Sequence, residues 1–385
     1  MKPLSQSVQS VPPSGIRRFF DLVAEMEDVI SLGVGEPDFV TPWRIREAAI
    51  YSLECGHTTY TSNYGLLELR REIARYLHDR YGLLYDPARE ILVTVGVSEA
   101  LDIACRALLN PGDEVLVPEP CYVSYQPCVR FAGGCPVPVP TRAANQFRVQ
   151  PDDIAARITP RTKAILLSYP SNPTGATMGR ADLQAIVDLA VEHDLYVLSD
   201  EIYDRLSYDA PHTCVAALDG AAERTILLNG FSKAHAMTGW RIGYACAPAP
   251  VLEAMVKIHA YTMLCAPITA QMAALEALRH GERDVVEMVA DYDRRRRLLV
   301  KGLNDLGLDC PLPGGAFYAF PSVEQRTGLS AEDFAERLLH EQRVLVVPGP
   351  AFGAGGAGHV RCCYATATDK LNEALARIGR FLEAL

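Results

Sequence analysis

The chain has 385 residues, 49 % hydrophobic and 22 % charged, an ordinary balance for a folded protein and a length that calls for two domains. Its formal charge of −10 and pI near 5.4 argue against nucleic acid or anionic membrane as a partner, and no apolar run approaches the length of a membrane span. Eleven cysteines lie scattered with no C-x-x-C, and the start Met1-Lys-Pro-Leu-Ser lacks an apolar signal core, so free thiols in a reducing cytosol and a cytoplasmic address are expected.

In chain order, residues 91–95 read as a strand and 98–109 as an amphipathic helix that ends at Asn110-Pro-Gly. A strand at 114–117 and a helix over 122–131 follow, then strands at 164–167, 196–199, 225–228 and 242–245, with a helix over 180–193. This alternation predicts an α/β fold with a mainly parallel, doubly wound sheet. A long charged helix near 283–306 leads away from it. After that come a β-like stretch at 317–320, a helix over 331–342, strands at 344–347 and 360–364 and a last helix, which together make a smaller α+β domain. The vicinal Cys362 and Cys363 would alternate across the last strand and face opposite sides.

Chemistry concentrates where predicted strands end. The run Asn229-Gly-Phe-Ser-Lys-Ala-His-Ala-Met-Thr-Gly-Trp-Arg-Ile-Gly-Tyr244 puts Lys233 just beyond the strand at 225–228, among small residues, with Arg241 close behind. A lysine in a loop is ordinarily solvated. One set in a small-residue turn beside an arginine can instead bond covalently to an aldehyde while the arginine grips a phosphate. Ser168-Tyr-Pro-Ser-Asn-Pro-Thr-Gly-Ala176 is a rigid turn after the strand at 164–167, and Asn172 offers it both amide donors and an acceptor. Leu195-Tyr-Val-Leu-Ser-Asp-Glu-Ile-Tyr-Asp204 ends a strand on Asp200, with Tyr203 three residues later. Asp200 could simply cap a turn, or place a carboxylate against a pyridine nitrogen. Val93-Thr-Val-Gly-Val-Ser-Glu-Ala100 is strand, glycine turn and helix start, an anion site to which Gly96, Val97 and Ser98 would bring donors, with Ser98 also readable as a plain N-cap.

These motifs, with Asn172, Asp200, Lys233 and Arg241 in that order along the chain, resemble class I/II aminotransferases, the fold-type I pyridoxal-phosphate enzymes. The resemblance implies pyridoxal 5′-phosphate as cofactor, joined to Lys233 as a Schiff base, with Asp200 on the ring nitrogen and Asn172 and Tyr203 at the ring oxygen. Gly96, Val97, Ser98, Ser232 and Arg241 would take the phosphate, and Tyr122 would stack on the ring. Tyr60, in Thr58-Thr-Tyr-Thr-Ser-Asn-Tyr-Gly65, would reach the phosphate from the neighbouring subunit of a homodimer with shared active sites. Arg361, in His359-Val-Arg-Cys-Cys-Tyr-Ala365, and the Gly35 N–H would hold the substrate α-carboxylate beside Asn172, and Ile16 would line the pocket. The implied large domain spans 41–287, and 1–40 joins 288–385 in the small one. The catalytic set is Lys233, Asp200 and Tyr203, and the reaction moves an amino group from an L-amino acid to a 2-oxo acid such as 2-oxoglutarate, in ping-pong fashion.

Three departures stand out. Gly230 replaces a serine that many relatives carry, Cys362 and Cys363 replace aliphatic or hydroxyl residues, and Ser98 replaces a lysine found in some bacterial aspartate aminotransferases. The segment Ser14-Gly-Ile-Arg-Arg-Phe-Phe20 is similar to a bacterial subgroup that includes N-acetyl-diaminopimelate and aromatic aminotransferases. A carbon–sulfur β-lyase on the same fold is the alternative activity. Gly353-Ala-Gly-Gly-Ala-Gly358 reads as a flexible hairpin, not a phosphate loop, Arg294–Arg297 as a solvated helix face, and the nine histidines show no metal spacing.

Overall fold

The computed structural model describes residues 2–12 and 26–385, so Ile16 lies outside the described residues. In chain order the strands are β1 (Ile30–Ser31), β2 (Ile91–Thr94), β3 (Glu114–Glu119), β4 (Cys135–Pro140), β5 (Thr162–Leu167), β6 (Tyr196–Asp200), β7 (Thr225–Gly230), β8 (Gly243–Cys246), β9 (Tyr318–Ala319), β10 (Val344–Leu345), β11 (Val347–Pro348) and β12 (Val360–Cys363). Seven of them make one sheet in the order β2-β8-β7-β6-β5-β3-β4. All its pairings are parallel except those of β8, which runs against β2 and β7. The sheet is covered on both faces, which is why its central strands read as unbroken apolar runs. Along β2, Leu92 packs against the helices Gly96–Leu108 and Ala249–Thr262, while Ile91 and Val93 face the helices Leu67–Tyr81 and Ile268–His280.

A second core gathers the helices Glu282–Asp305, Ala331–Gln342 and Thr368–Glu383 around the antiparallel sheet β11-β12-β9. Ile30 and Leu32 join it from the N-terminal side, and Tyr203, Ala234 and Ala236 join it from loops of the large sheet. The two halves are thus packed together through the loops that carry the sequence motifs. Among the described residues no helix is long and apolar enough to cross a membrane.

The structure corrects the sequence reading at several points. β4, Cys-Pro-Val-Pro-Val-Pro, gives no strand signal because three of its six residues are proline. It survives at the sheet edge, where an outward-facing residue needs no N–H. The helix expected over 122–131 begins only at Tyr125, since the N–H of Cys121 is spent on the Phe352 carbonyl (2.9 Å). The strand expected at 344–347 divides, because β10 pairs with β1 while β11 pairs with β12. The glycine tract 353–358 links β11 to β12 as a packed turn. Gly353 has φ +117°, and a Cβ there would lie 2.6 Å from the Glu119 carboxyl carbon.

The arginine run is the largest correction. Arg294 and Arg297 are exposed, but Arg296 is fully buried and Arg295 nearly so. Arg296 holds Asp209 bidentately (2.7 and 2.9 Å), donates to the Pro313 carbonyl (2.6 Å) and stacks over Tyr208. Arg295 grips Asp38 at 2.8 Å and Asp291 at 2.7 Å. Partners this far off in sequence cannot be seen in a local charge pattern. Arg296→Ala would leave Asp209 and Asp293 to the exposed Arg297 alone, unpair the Pro313 carbonyl and leave a hole. It is expected to cost about 3–5 kcal/mol, whereas Arg294→Ala should stay within about 0.5 kcal/mol, both read from urea unfolding.

Candidate active site

The carboxyl ends of β2, β3, β5, β6 and β7 share one edge of the large sheet, and antiparallel β8 begins there. That edge is where an open α/β sheet binds ligands. Asn172 follows β5, Asp200 closes β6, Lys233 follows β7, and Arg241 precedes β8. Arg361 comes to the same place from β12 of the small sheet.

Lys233 is partly buried, and its Nζ donates to the Gly35 carbonyl (2.6 Å). The amine also sits 5.5 Å from the Phe317 ring centroid and 5.9 Å from that of Tyr203. Burial lowers its pKa from the ordinary 10.5 to about 8. Asp200 is buried. Its carboxylate accepts from the Tyr125 hydroxyl (2.8 Å) and the Ile202 N–H (3.2 Å). Burial nevertheless raises its pKa from 3.8 to about 6, with the Tyr125 bond opposing the shift. Lysine and aspartate are therefore both pushed toward their neutral forms. Tyr203 shares a 2.8 Å hydroxyl contact with Tyr318.

Arg361 is buried in β12. One Nη donates to Asn172 Oδ1 (2.8 Å) and the other to the Gly33 carbonyl (2.6 Å), with the guanidinium over the rings of Tyr318 and Phe352. Its Nε is buried without a partner. The glycine loop approaches so closely that a Cβ on Gly35 would lie 2.3 Å from the Tyr318 hydroxyl. Cys362 and Cys363 are both buried. Burial raises both thiols, with Cys310 acting on the first and Lys233 on the second, in keeping with opposite faces.

The turn after β2 brings a helix start and an arginine together. Gly96 has φ +75° and opens the helix Gly96–Leu108, and a Cβ on it would meet Arg241 Nη2 at 2.6 Å. Arg241 itself is left-handed (φ 54°) and bonds to the Thr238 carbonyl at 3.1 Å. Val97 and Ser98 sit in the first helical turn, and Ser232 is buried close to Lys233. Ser98 is not the N-cap, which is Val95. Gly230 has a local explanation: a Cβ there would lie 2.9 Å from Gly243 Cα and 3.2 Å from a Val97 methyl, so a serine would need space that this chain fills. Tyr122 stands edge-on to Tyr125 (5.5 Å, 79°), and Tyr60 is 81 % exposed.

Three supports escaped the sequence reading. Glu99 Oε2 accepts the Val95 N–H (2.5 Å) and its Oε1 meets His259 Nδ1 (2.5 Å), so a buried pair holds the glycine turn from behind. No capping-box signal marked it, since the helix opens on Val95 and Glu99 stands one residue past the position such a box uses. Tyr125 and Tyr318 left no local trace, because their hydroxyls matter only through residues far away in sequence.

Residues 27–378 match the family described as aminotransferase class I and II. The chain belongs to that family. It is 56 % identical over 379 residues to a Bacillus subtilis (strain 168) protein, YugH, that is named only as an aminotransferase, with 98 % of each chain covered. It is 48 % identical over 382 residues to an aspartate aminotransferase of Pyrococcus abyssi (strain GE5 / Orsay), again with 98 % of each covered. Among solved structures, Thermus thermophilus aspartate aminotransferase with maleate superposes with a TM-score of 0.93 at 43 % identity, covering 99 % of this chain and 100 % of that one. The chain is thus an aminotransferase enzyme of fold type I, from a family that generally uses pyridoxal phosphate.

The buried Asp200 carboxylate has a measurable consequence. Its folded-state pKa lies above the unfolded value, so between pH 3.8 and about 6 the folded protein binds the extra proton, and stability contributed by that proton is lost as pH rises. In protein free of cofactor, Asp200→Asn should therefore stabilise relative to wild type, by an amount that grows from pH 4 to pH 6.5 and then levels off. The full change is about 3 kcal/mol for a shift of this size. A difference in melting temperature that does not vary with pH would sink the assignment.

Proposed function

We propose that this carboxyl edge holds pyridoxal 5′-phosphate and that the enzyme transfers an amino group from an L-amino acid to a 2-oxo acid. One observation carries the reading. A lysine amine, a carboxylate and an arginine lie within electrostatic reach of one another, and the carboxylate and the arginine each lack a partner that this cofactor or its substrate would supply. The Asp200 carboxylate has only neutral donors and calls for a cation, which a protonated ring nitrogen is. Arg361 Nε calls for an acceptor, which an α-carboxylate offers. Gly96 opens its helix directly against Arg241, so free backbone N–H groups and a guanidinium stand side by side, the donor set a phosphate takes.

The bound cofactor supplies an electron sink for the charge released at the substrate Cα. Arg241, the first N–H groups of the helix Gly96–Leu108 at Gly96, Val97 and Ser98, and Ser232 would hold its phosphate. Asn172 and Tyr203 would meet the ring oxygen, and Tyr122 would cover the ring. Arg361, Asn172 and the Gly35 N–H would orient the α-carboxylate. Lys233, with its pKa near 8, would be a free amine at mildly alkaline pH and would take and return the Cα proton. The lobes are taken as 41–287 and as 1–40 with 288–385.

Relatives named for aspartate and for aromatic amino acids support amino-acid and oxo-acid substrates, with transamination ahead of β-elimination. A donor panel against 2-oxoglutarate tests this. Pyruvate and ammonia released without an oxo-acid acceptor would favour the lyase. All eleven cysteines are unpaired, which supports a reducing, cytoplasmic setting.

Lys233→Ala is expected to abolish turnover, because both anchor and base are lost. Arg361→Leu should lower kcat/KM about thirty-fold or more for every amino acid while cofactor titration is unchanged, with partial recovery in Arg361→Lys. Release of cofactor from Arg361→Leu would overturn its role.

We also infer a homodimer. Trp43, Tyr51, Tyr60 and Tyr261 are exposed aromatics, and Tyr261 is 90 % accessible. The segment of Tyr60 is tied to that of Tyr261 by Asn63 bonding to the Leu264 carbonyl (2.6 Å) and Gln271 bonding to Thr61 (3.0 Å), and exposed aromatics gathered in this way suit a contact between copies. If Tyr60 serves the second copy's site, mixing inactive Tyr60→Ala and Lys233→Ala subunits should restore about a quarter of wild-type activity, the statistical yield for one complete site in half the dimers. No recovery on mixing, or an active monomer by sedimentation, would refute it.

A further inference from the structure

A cavity of about 250 Å³ lies between the turn after β5 and the segment leading into β9, and Lys233, Asp200, Asn172 and Arg361 are absent from its wall. Its charged groups are Arg148 and Asp209. Asp209 is already answered: Arg296 holds both its oxygens, and Arg297 approaches at 3.5 Å. Arg296 and Arg297 also pair with Asp293. Two carboxylates against two guanidiniums cancel. Arg148 has no such answer. Its guanidinium makes no ion pair or hydrogen bond with the described residues, and its Nε is buried without a partner. An arginine set beside a cavity with an unspent, desolvated donor is short of an acceptor.

The rest of the wall says what the acceptor belongs to. Thr174 and Thr177 present hydroxyls that donate to no described residue, although Thr174 Oγ1 accepts the Ala176 N–H at 3.2 Å. Phe147 and Phe320, whose rings meet edge to face at 5.3 Å, supply an apolar side. The volume is below that of ordinary drug-sized pockets and suits a small molecule. We propose that this cavity binds a small organic monocarboxylate, with the carboxylate on Arg148 and the threonine hydroxyls and an apolar body against the two phenylalanines. This site is separate from the Arg361 carboxylate clamp and does not depend on it.

The test is calorimetric titration of the cofactor-loaded enzyme with 3-phenylpropionate. Wild type should show two classes of site. Arg361→Leu should keep the one described here, and Arg148→Gln should lose it, weakening it at least about tenfold while leaving the other intact. Arg148→Lys should retain part of the affinity, and unchanged thermal unfolding of Arg148→Gln would show that the fold is preserved. If Arg148→Gln fails to fold, Thr177→Val is expected to weaken the same class of site alone. Identical isotherms for wild type and the folded Arg148→Gln, or for wild type and Thr177→Val, or loss of all binding in Arg361→Leu, would overturn the proposal. Equal displacement by inorganic phosphate would overturn the organic-acid assignment.

Discussion

Arg361 is a full positive charge buried in a strand, and three separate parts of the chain meet on it. The small sheet supplies the arginine, the turn after β5 supplies Asn172, and the N-terminal segment supplies the Gly33 carbonyl. A buried guanidinium is tolerated only when its donors are spent, so these three parts are held in register by the cost of leaving it unpaired. Two aromatic rings flank it and keep water away. The remaining Nε is buried without a partner.

Desolvation at that point sets the chemistry of the other groups. It moves Lys233 down and Asp200 up, toward the same neutral range, without any strong ionic partner between them. Such an arrangement is poor for stability, and perturbed groups of this kind gather at functional sites. The supports are correspondingly neutral: a tyrosine hydroxyl for Asp200, a backbone carbonyl for Lys233.

Packing, more than charge, governs the glycine turn. Gly96, Gly230 and Gly243 let β7, β8 and the helix Gly96–Leu108 approach until only Val97 and the Arg241 guanidinium fit between them. The Glu99–His259 pair then fixes the turn from the helix side. Gly230, which departs from many relatives, follows from this close approach and needs no separate functional reason.

The sequence by itself determined the existence of a mainly parallel sheet and six of its seven strands, because strands buried on both faces are continuous apolar runs. It also determined Lys233, Asp200, Asn172, Arg241 and Arg361 as candidates, since each stands in a motif whose residue types and order leave few alternative readings. Tertiary structure decided what those signals cannot carry. Asp38 lies 257 residues from Arg295 and Asp209 lies 87 residues from Arg296, so a run that is locally a charged helix face becomes two buried clamps. β4 exists because β3 offers it an edge, and β10 and β11 separate because their partners lie on different sheets. Tyr125, His259 and Arg148 carry no local mark at all. Periodicity and turn chemistry are local properties of a chain, whereas the pairing of a buried polar group depends on which distant atom the fold brings within three ångströms.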